Sequence, residues 1–178
     1  MAENLPEVWL RGPINGIPSL LQPAAHALLQ AVEEIKELMH DFPDELLWEK
    51  PANVASPGFH LLHIKGVLDR LASYAQGNAL SEAQLTNLQS ESEQQETSVN
   101  ELVAGVEQQV QQALELFRTI DEENLTEKRT VGRKALPSTV QGLLFHAAEH
   151  TMRHLGQLLV TVKLLNAGKG EELLSPAH

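Results

Sequence analysis

The chain has 178 residues, with 24 acidic and 13 basic side chains and a formal net charge of −11. Such acidity argues against a nucleic-acid partner, because phosphate contacts require clustered Lys and Arg. The chain contains no cysteine, so disulfides are excluded and a metal site would have to use His, Asp or Glu. This length can bury a core without cross-links, and we expect one domain over residues 1–178 with its core at about 18–166.

Two sequence signals bear on location. The first segment, MAENLPEVWLRGPING, lacks a basic start followed by an apolar run, so a secretory signal is not expected. A membrane span is not expected either, because no apolar run approaches the roughly 18 residues that a spanning helix needs. These features favour a cytoplasmic protein with no membrane partner.

Helical patterns dominate the first half of the chain. A first helix is predicted from about Pro18 to just before Pro43, with apolar residues at three- and four-residue intervals. A second is predicted over residues 58–77, GFHLLHIKGVLDRLASYAQG, with Gly77 as its C-cap. The polar, acidic residues 78–98 predict a connecting segment or exposed helical ends.

The second half continues this pattern. A third helix is predicted at about residues 98–120, and a fourth from Ser138, the expected N-cap, to about Asn166. The segment between them is charged and irregular, and no strand-like alternation is visible. Four helices of roughly 20 to 30 residues predict an all-α four-helix bundle with long connections. A crossover connection stays open as an alternative to simple up-down topology.

The fourth predicted helix aligns three histidines. The stretch FHAAEHTMRHLGQLL contains His146, His150 and His154, which a helix places within about 80° of one another. Gln157 falls in the same sector, beside a leucine-rich sector that faces the core. An i, i+4 histidine pair can supply two metal ligands, but such pairs also occur on surfaces without metal. A site would need a third ligand from a facing helix.

The second predicted helix offers two candidates for that ligand, His60 and His63. His60 is the more central on the apolar face, whereas His63 lies at its edge. Helical geometry alone does not choose between them, and either ring could simply form a hydrogen bond at the edge of the core. Arg70 and Tyr74 share the His63 side and could bind an anionic substrate group or donate a hydrogen bond.

Two segments carry a resemblance to a known family. GFHLLHIKGVLDRLASYAQG and VGRKALPSTVQGLLFHAAEHTMRHLGQLLVTVK resemble the DinB-like (DinB/YfiT-like) superfamily of bacterial four-helix bundles, over roughly residues 20–165. In that family, one histidine near the start of the second helix and two in the fourth bind a divalent metal. The family's second-helix pattern falls on Ser56, Gly58, His63 and Ile64, and its fourth-helix pattern falls on His150, His154, Gly156 and Gln157.

The resemblance implies a divalent metal bound by His63, His150 and His154. His60 and His146 would then line the pocket or hydrogen-bond to the ligands, although purely structural roles fit them equally well. Three histidines do not fix the metal, which could be Zn, Ni, Fe or Mn.

An open fourth position on this metal would fit the family's activities, a metal-dependent hydrolase or a thiol-dependent S-transferase acting on a small molecule. The alternative is a non-catalytic, metal-stabilised bundle that serves stress response or small-molecule binding. A fourth protein ligand such as His60 or His146 would favour that alternative, because it would close the coordination sphere.

The fourth predicted helix carries more apolar residues than one core-facing stripe needs. They are Leu143, Leu144, Phe145, Leu155, Leu158, Leu159, Val160, Val162, Leu164 and Leu165. A large exposed apolar patch favours a partner, and we expect a homodimer packed about a two-fold axis. The alternative is that the N-terminal segment LPEVWLRGPINGI, with Trp9 and Ile17, covers this surface.

Overall fold

The computed structural model describes residues 5–172, and side chains as far as residue 167. This part of the chain is mainly helical, as the sequence predicts. Its helices are α1 (Gln22–Met39), α2 (Pro57–Ala75), α3 (Glu82–Ser90), α4 (Val99–Thr119) and α5 (Val140–Glu172).

The four long helices form a bundle with a crossed connectivity. Helix α5 packs against both α1 and α2, and α4 packs against the same two helices from the other side. Consecutive helices α1 and α2 therefore lie across the bundle from each other. This arrangement is the crossover that the sequence left open, and it brings the start of α2 against the middle of α5.

Short polar side chains cap the N-termini of several helices. Helix α4 begins at a capping box, in which Ser98 Oγ accepts from the backbone of Glu101 while the Glu101 carboxylate accepts from the backbone of Ser98. The prediction that Ser138 caps the last helix is wrong. Thr139 takes this role, because its Oγ1 accepts from the backbone N–H of Gly142 at 3.0 Å.

The expectation of no strand is also wrong. Strands β1 (Lys128–Val131) and β2 (Leu136–Thr139) form an antiparallel hairpin before α5. Each strand has only four residues, too few for a clear alternation of apolar and polar side chains. Gly132 has a φ of +68° in the turn, a conformation that glycine adopts without steric cost.

The loop before α2 fixes where that helix starts. Ser56 caps α2, since its Oγ accepts from the backbone N–H of Phe59 at 3.3 Å. The backbone N–H of Gly58 donates to Leu47 at 2.7 Å, and a Cβ at position 58 would lie 2.8 Å from the Trp48 ring. Only glycine therefore allows the loop to pack this closely against the turn that carries His60.

The N-terminal segment packs on α1. The backbone N–H of Val8 donates to the side chain of Gln30 at 2.9 Å, and Arg11 pairs with Glu33 at 2.6 Å. Ile17 is buried in the core, while Trp9 is 60% exposed. Within the described residues, none of the helices combines the length and apolar character that crossing a membrane requires.

Candidate metal centre

Three histidines from two facing helices converge between α2 and α5. One ring nitrogen each from His63, His150 and His154 lies within 4.8 Å of the others. Nε2 of His63 and Nε2 of His150 are 3.0 Å apart. Tetrahedral ligands at Zn–N distances of about 2.0–2.1 Å are about 3.3 Å apart, so this separation fits two ligands of one ion.

The orientation of His63 is set by two neighbours. The ring of Phe59 stacks on it, with centroids 5.2 Å apart and planes inclined by 14°. Its Nδ1 lies 2.7 Å from Oε2 of Glu91, the residue that follows α3. A carboxylate can only accept, so Nδ1 carries the proton and Nε2 keeps its lone pair for a metal.

Glu91 in turn pairs with Arg70. Both residues are buried, and the guanidinium contacts Oε1 of Glu91 while Oε2 receives the proton of His63. Arg70 is thus committed to a protein carboxylate. Tyr74 lies further along α2 and lines a separate cavity beside the β1–β2 hairpin, with Arg129 and Arg133.

His60 touches the site through His154. It is 3% exposed, and its Nδ1 lies 3.0 Å from Nδ1 of His154. A metal on Nε2 of His154 would leave the proton on Nδ1, from which it can be donated to His60. His60 must then be neutral, with its own proton on Nε2.

The electrostatics of the cluster favour neutral rings. Burial, with the nearby His63 adding to it, lowers the pKa of His60 to about 4 and that of His154 to about 3. Burial also lowers the pKa of His150. Neutral imidazoles are the form that binds metal, so these residues fit a divalent ion without first losing a proton to solvent.

His150 has an unusual environment. Its Nδ1 is buried and has no hydrogen-bond partner among the described residues. Buried polar atoms are nearly always paired, so this nitrogen marks a site whose polar contacts are incomplete. The observation agrees with a binding site whose remaining contacts come from water or a ligand.

His146 lies one turn before His150 and is more exposed. Its Nδ1 lies 3.2 Å from a carboxylate oxygen of Glu149, which also pairs with Arg153. His146, Glu149 and His150 form a second group with metal-ligating spacing. The positive charge of Arg153 on the same carboxylate disfavours a cation there.

A pocket of about 520 Å³ lies beside His60, and its lining does not include the three converging histidines. It lies between the loop before α2 and the outer part of α5. Its lining is mainly aliphatic with a few polar groups, and includes Val54, His60, Arg153, Gln157, Val160 and Leu164. Gln157 therefore faces this pocket rather than the cluster of ring nitrogens.

The fold is a helical bundle in which a histidine pair on one helix and a third histidine on a facing helix could hold a metal ion. The sequence profile of the DinB superfamily matches residues 15–158, and the chain belongs to that superfamily. Among curated proteins, no significant match is found.

Solved structures support the same fold. A conserved protein from Enterococcus faecalis aligns with a TM-score of 0.64 and 19% identity, covering 83% of this chain and 97% of that one. A protein from Streptococcus pneumoniae aligns with a TM-score of 0.63 and 15% identity, covering 84% of this chain and 91% of that one. At these identities the likeness concerns the fold alone.

Sequence reasoning missed Glu91. This residue lies in the polar stretch 78–98, where its carboxylate looks like one of many solvated charges. A signal for α3 was nevertheless present, because Ser81 and Gln84 form a capping box at its start. Knowing that a helix begins there would still not have placed Glu91 beside His63.

Proposed function

We propose that the chain is a divalent-metal-dependent enzyme that holds its metal with His63, His150 and His154 and acts on a small molecule. The convergence of these three ring nitrogens is the observation that carries the proposal. The two other nearby histidines are directed elsewhere, since His60 faces His154 and His146 faces Glu149. This arrangement supports an open position on the metal.

Of the two reactions that such a site could perform, transfer to a thiol is favoured over hydrolysis. A bound divalent ion would lower the pKa of a ligated water or thiol. Hydrolysis also calls for a general base, and the two carboxylates beside the histidines are already paired. Glu91 binds Arg70 and His63, and Glu149 binds Arg153 and His146. A thiol is acidic enough to ionise on the metal without a separate base.

The pocket beside His60 suits the rest of the substrate. Val54, Val160 and Leu164 would contact an aliphatic body, and Arg153 would attract an anionic end at the rim. A Cβ added at Gly156 would meet no atom within 4 Å, so this position opens onto free space at the pocket. We therefore place a small aliphatic molecule with one anionic group in this pocket.

The experiment is an S-alkylation assay of the metal-loaded protein, in which the thiol of cysteine attacks a fluorogenic alkylating reagent and displaces its leaving group. Turnover that disappears in His154→Ala and persists in His26→Ala supports the proposal, because His26 contacts Gly12 away from the site. Gly156→Leu should raise KM without altering the metal content. Gln141→Leu, an exposed substitution elsewhere on α5, is its control.

Absence of turnover with thiols and with ester substrates, despite a tightly bound metal, would contradict the proposed enzymatic function. That result would favour the alternative, a metal that joins α2 to α5 in a non-catalytic bundle.

We also propose a homodimer through α5. Four of its large apolar side chains are exposed, and at 100° per residue they span a sector of about 140°. Val160 and Leu164, at one edge of this sector, line the pocket, whereas Phe145 and Leu159 lie towards the other edge. The N-terminal segment leaves this other edge open because it packs on α1.

We expect light scattering at micromolar concentration to give about twice the monomer mass of 19.6 kDa. Leu159→Glu should give the monomer mass, because it places a charge in the proposed contact. A measured mass of 19.6 kDa for the wild-type protein would contradict the dimer.

A further inference from the structure

Glu91 is a buried carboxylate with two polar partners. It is 5% exposed, and each of its two oxygens has a different partner on α2, His63 and Arg70. We propose that Glu91 is a positioning residue that fixes the proton of His63 for metal binding, and that Gly66 provides the space for its carboxylate. The role rests on the proposed metal site.

The effect on His63 follows from its single proton. A neutral imidazole carries one N–H, and in the absence of a directing partner this proton is divided between the two ring nitrogens. The Glu91 carboxylate holds it on Nδ1, at 2.7 Å. The lone pair of Nε2 is then directed at the cluster, where Nε2 of His150 is 3.0 Å away. Carboxylate partners of this kind also raise the basicity of a ligating imidazole.

Arg70 holds the Glu91 carboxylate in place. The guanidinium of Arg70, 8% exposed, lies against Oε1 of Glu91. This contact leaves Oε2 directed at Nδ1 of His63.

Gly66 lies between His63 and Arg70 on the same side of α2. A Cβ built there would overlap Oε1 of Glu91 and would lie 2.6 Å from Nη1 of Arg70. These atoms are the ends of flexible side chains, so a methyl group would displace the ion pair rather than break the helix. Glycine is otherwise unfavourable inside a helix, and the ion pair supplies a reason for it here.

Helix α3 positions Glu91 beside the space that Gly66 leaves on α2. Its Gln84 donates to Ser73 Oγ at 2.8 Å and to the Asp69 carbonyl at 3.4 Å, which ties the start of α3 to the outer face of α2. Glu91 follows directly after the last residue of α3. The short helix therefore has a function beyond connecting two parts of the bundle.

The test compares matched glycine substitutions. Gly66→Ala should displace Glu91, whereas Gly105→Ala on α4 is a control in which the new Cβ would make an ordinary 3.5 Å contact with Lys65. Glu91→Gln alone would leave Arg70 buried without its partner and could fail to fold. The double variant Glu91→Leu with Arg70→Met removes both charges and the acceptor for His63 together. Gln84→Ala loosens α3 without removing the carboxylate.

Two measurements are made on each variant. The first is Zn²⁺ affinity, by competition with a chromogenic chelator. The second is the tautomer of His63 in metal-free protein, from ¹H–¹⁵N NMR of the imidazoles, with His63→Ala identifying the signal. A purely structural role for Glu91 would not change this tautomer.

We expect Zn²⁺ affinity to fall about 10- to 100-fold in Gly66→Ala and in the double variant, to fall less in Gln84→Ala, and to stay within about threefold in Gly105→Ala. The Nδ1–H signal of His63 should be lost in the first two variants only. A wild-type protein that binds no Zn²⁺ overturns the metal site and this role with it. Wild-type affinity and tautomer in both Gly66→Ala and the double variant overturn the role alone.

Discussion

The two helices that meet at the candidate metal centre hold their histidines in different ways. On α2, His63 is stacked on Phe59 and hydrogen-bonded to a buried carboxylate that is itself paired. On α5, His150 has a buried Nδ1 with no partner in the described part of the chain, and its neighbour His146 is about half exposed. The ring of His63 is thus held by its neighbours on both sides, whereas the ring of His150 has no such support at Nδ1. A ligand that is already oriented loses less conformational entropy on binding, so we expect α2 to dominate the affinity.

The largest expected effect is the loss of a ligand, and it should be unequal on the two sides. We expect His63→Ala to lower Zn²⁺ affinity by more than about 100-fold, the largest loss typical of residues that only hydrogen-bond to a metal ligand. The loss should also exceed that of His150→Ala. Chelator competition on both variants measures this difference. Equal losses would show that the ordered surroundings of His63 contribute nothing to binding.

The next effect concerns His60, which links the two sides through His154. His60→Leu removes the acceptor for the Nδ1 proton of His154, and we expect about a tenfold loss of Zn²⁺ affinity with the ion still bound at one per chain. His60→Gln retains an acceptor and should lose less. Complete loss of metal in His60→Leu would instead identify His60 as a ligand.

Acid should destabilise the metal-free protein through the same rings. The folded-state pKa of His60 is about 4 and that of His154 about 3, against 6.5 for an unperturbed histidine, so the unfolded chain binds more protons in this window. The free energy of unfolding therefore falls as the pH drops from about 6.5 towards 4, by up to about 1.4 kcal/mol per pH unit for each ring. Urea unfolding at pH 7 and pH 5 measures the change.

Other groups also titrate between these pH values, so the comparison variant is His154→Asn. This variant should lose less stability between pH 7 and pH 5 than the wild type. An identical loss in both proteins would contradict the lowered pKa of His154.

The smallest effect should come from His146. It is exposed and paired with Glu149, so we expect His146→Ala to change Zn²⁺ affinity by no more than about threefold. The same chelator competition measures this effect. A loss as large as that of His60→Leu would show that the outer turn of α5 is part of the site.

Most of the fold and part of the site could be predicted from the sequence, because the signals for them are local. Helical periodicity and caps located the four long helices, because these signals are local. The i, i+4 spacing placed His150 and His154 on one face by the same local geometry. The choice of His63 over His60 depended on the family resemblance, since both lie on nearly the same side of α2.

Long-range packing explains what was missed. Glu91 reaches His63 only because α3 folds back along α2 and Gly66 leaves room for its carboxylate. Nothing in the spacing of residues 78–98 encodes that contact. The sequence pattern allows Arg70 to bind an anionic substrate group, but its partner in the structure is this carboxylate.

We expect His63, His150 and His154 together to bind one divalent ion. The most direct measurement is elemental analysis of protein purified without a histidine tag or chelating column, loaded with Zn²⁺ and dialysed. One ion per chain is expected in the wild type and less than about a tenth of that in His63→Ala and His154→Ala, with His26→Ala unchanged. Full metal content in both ligand variants would contradict this expectation.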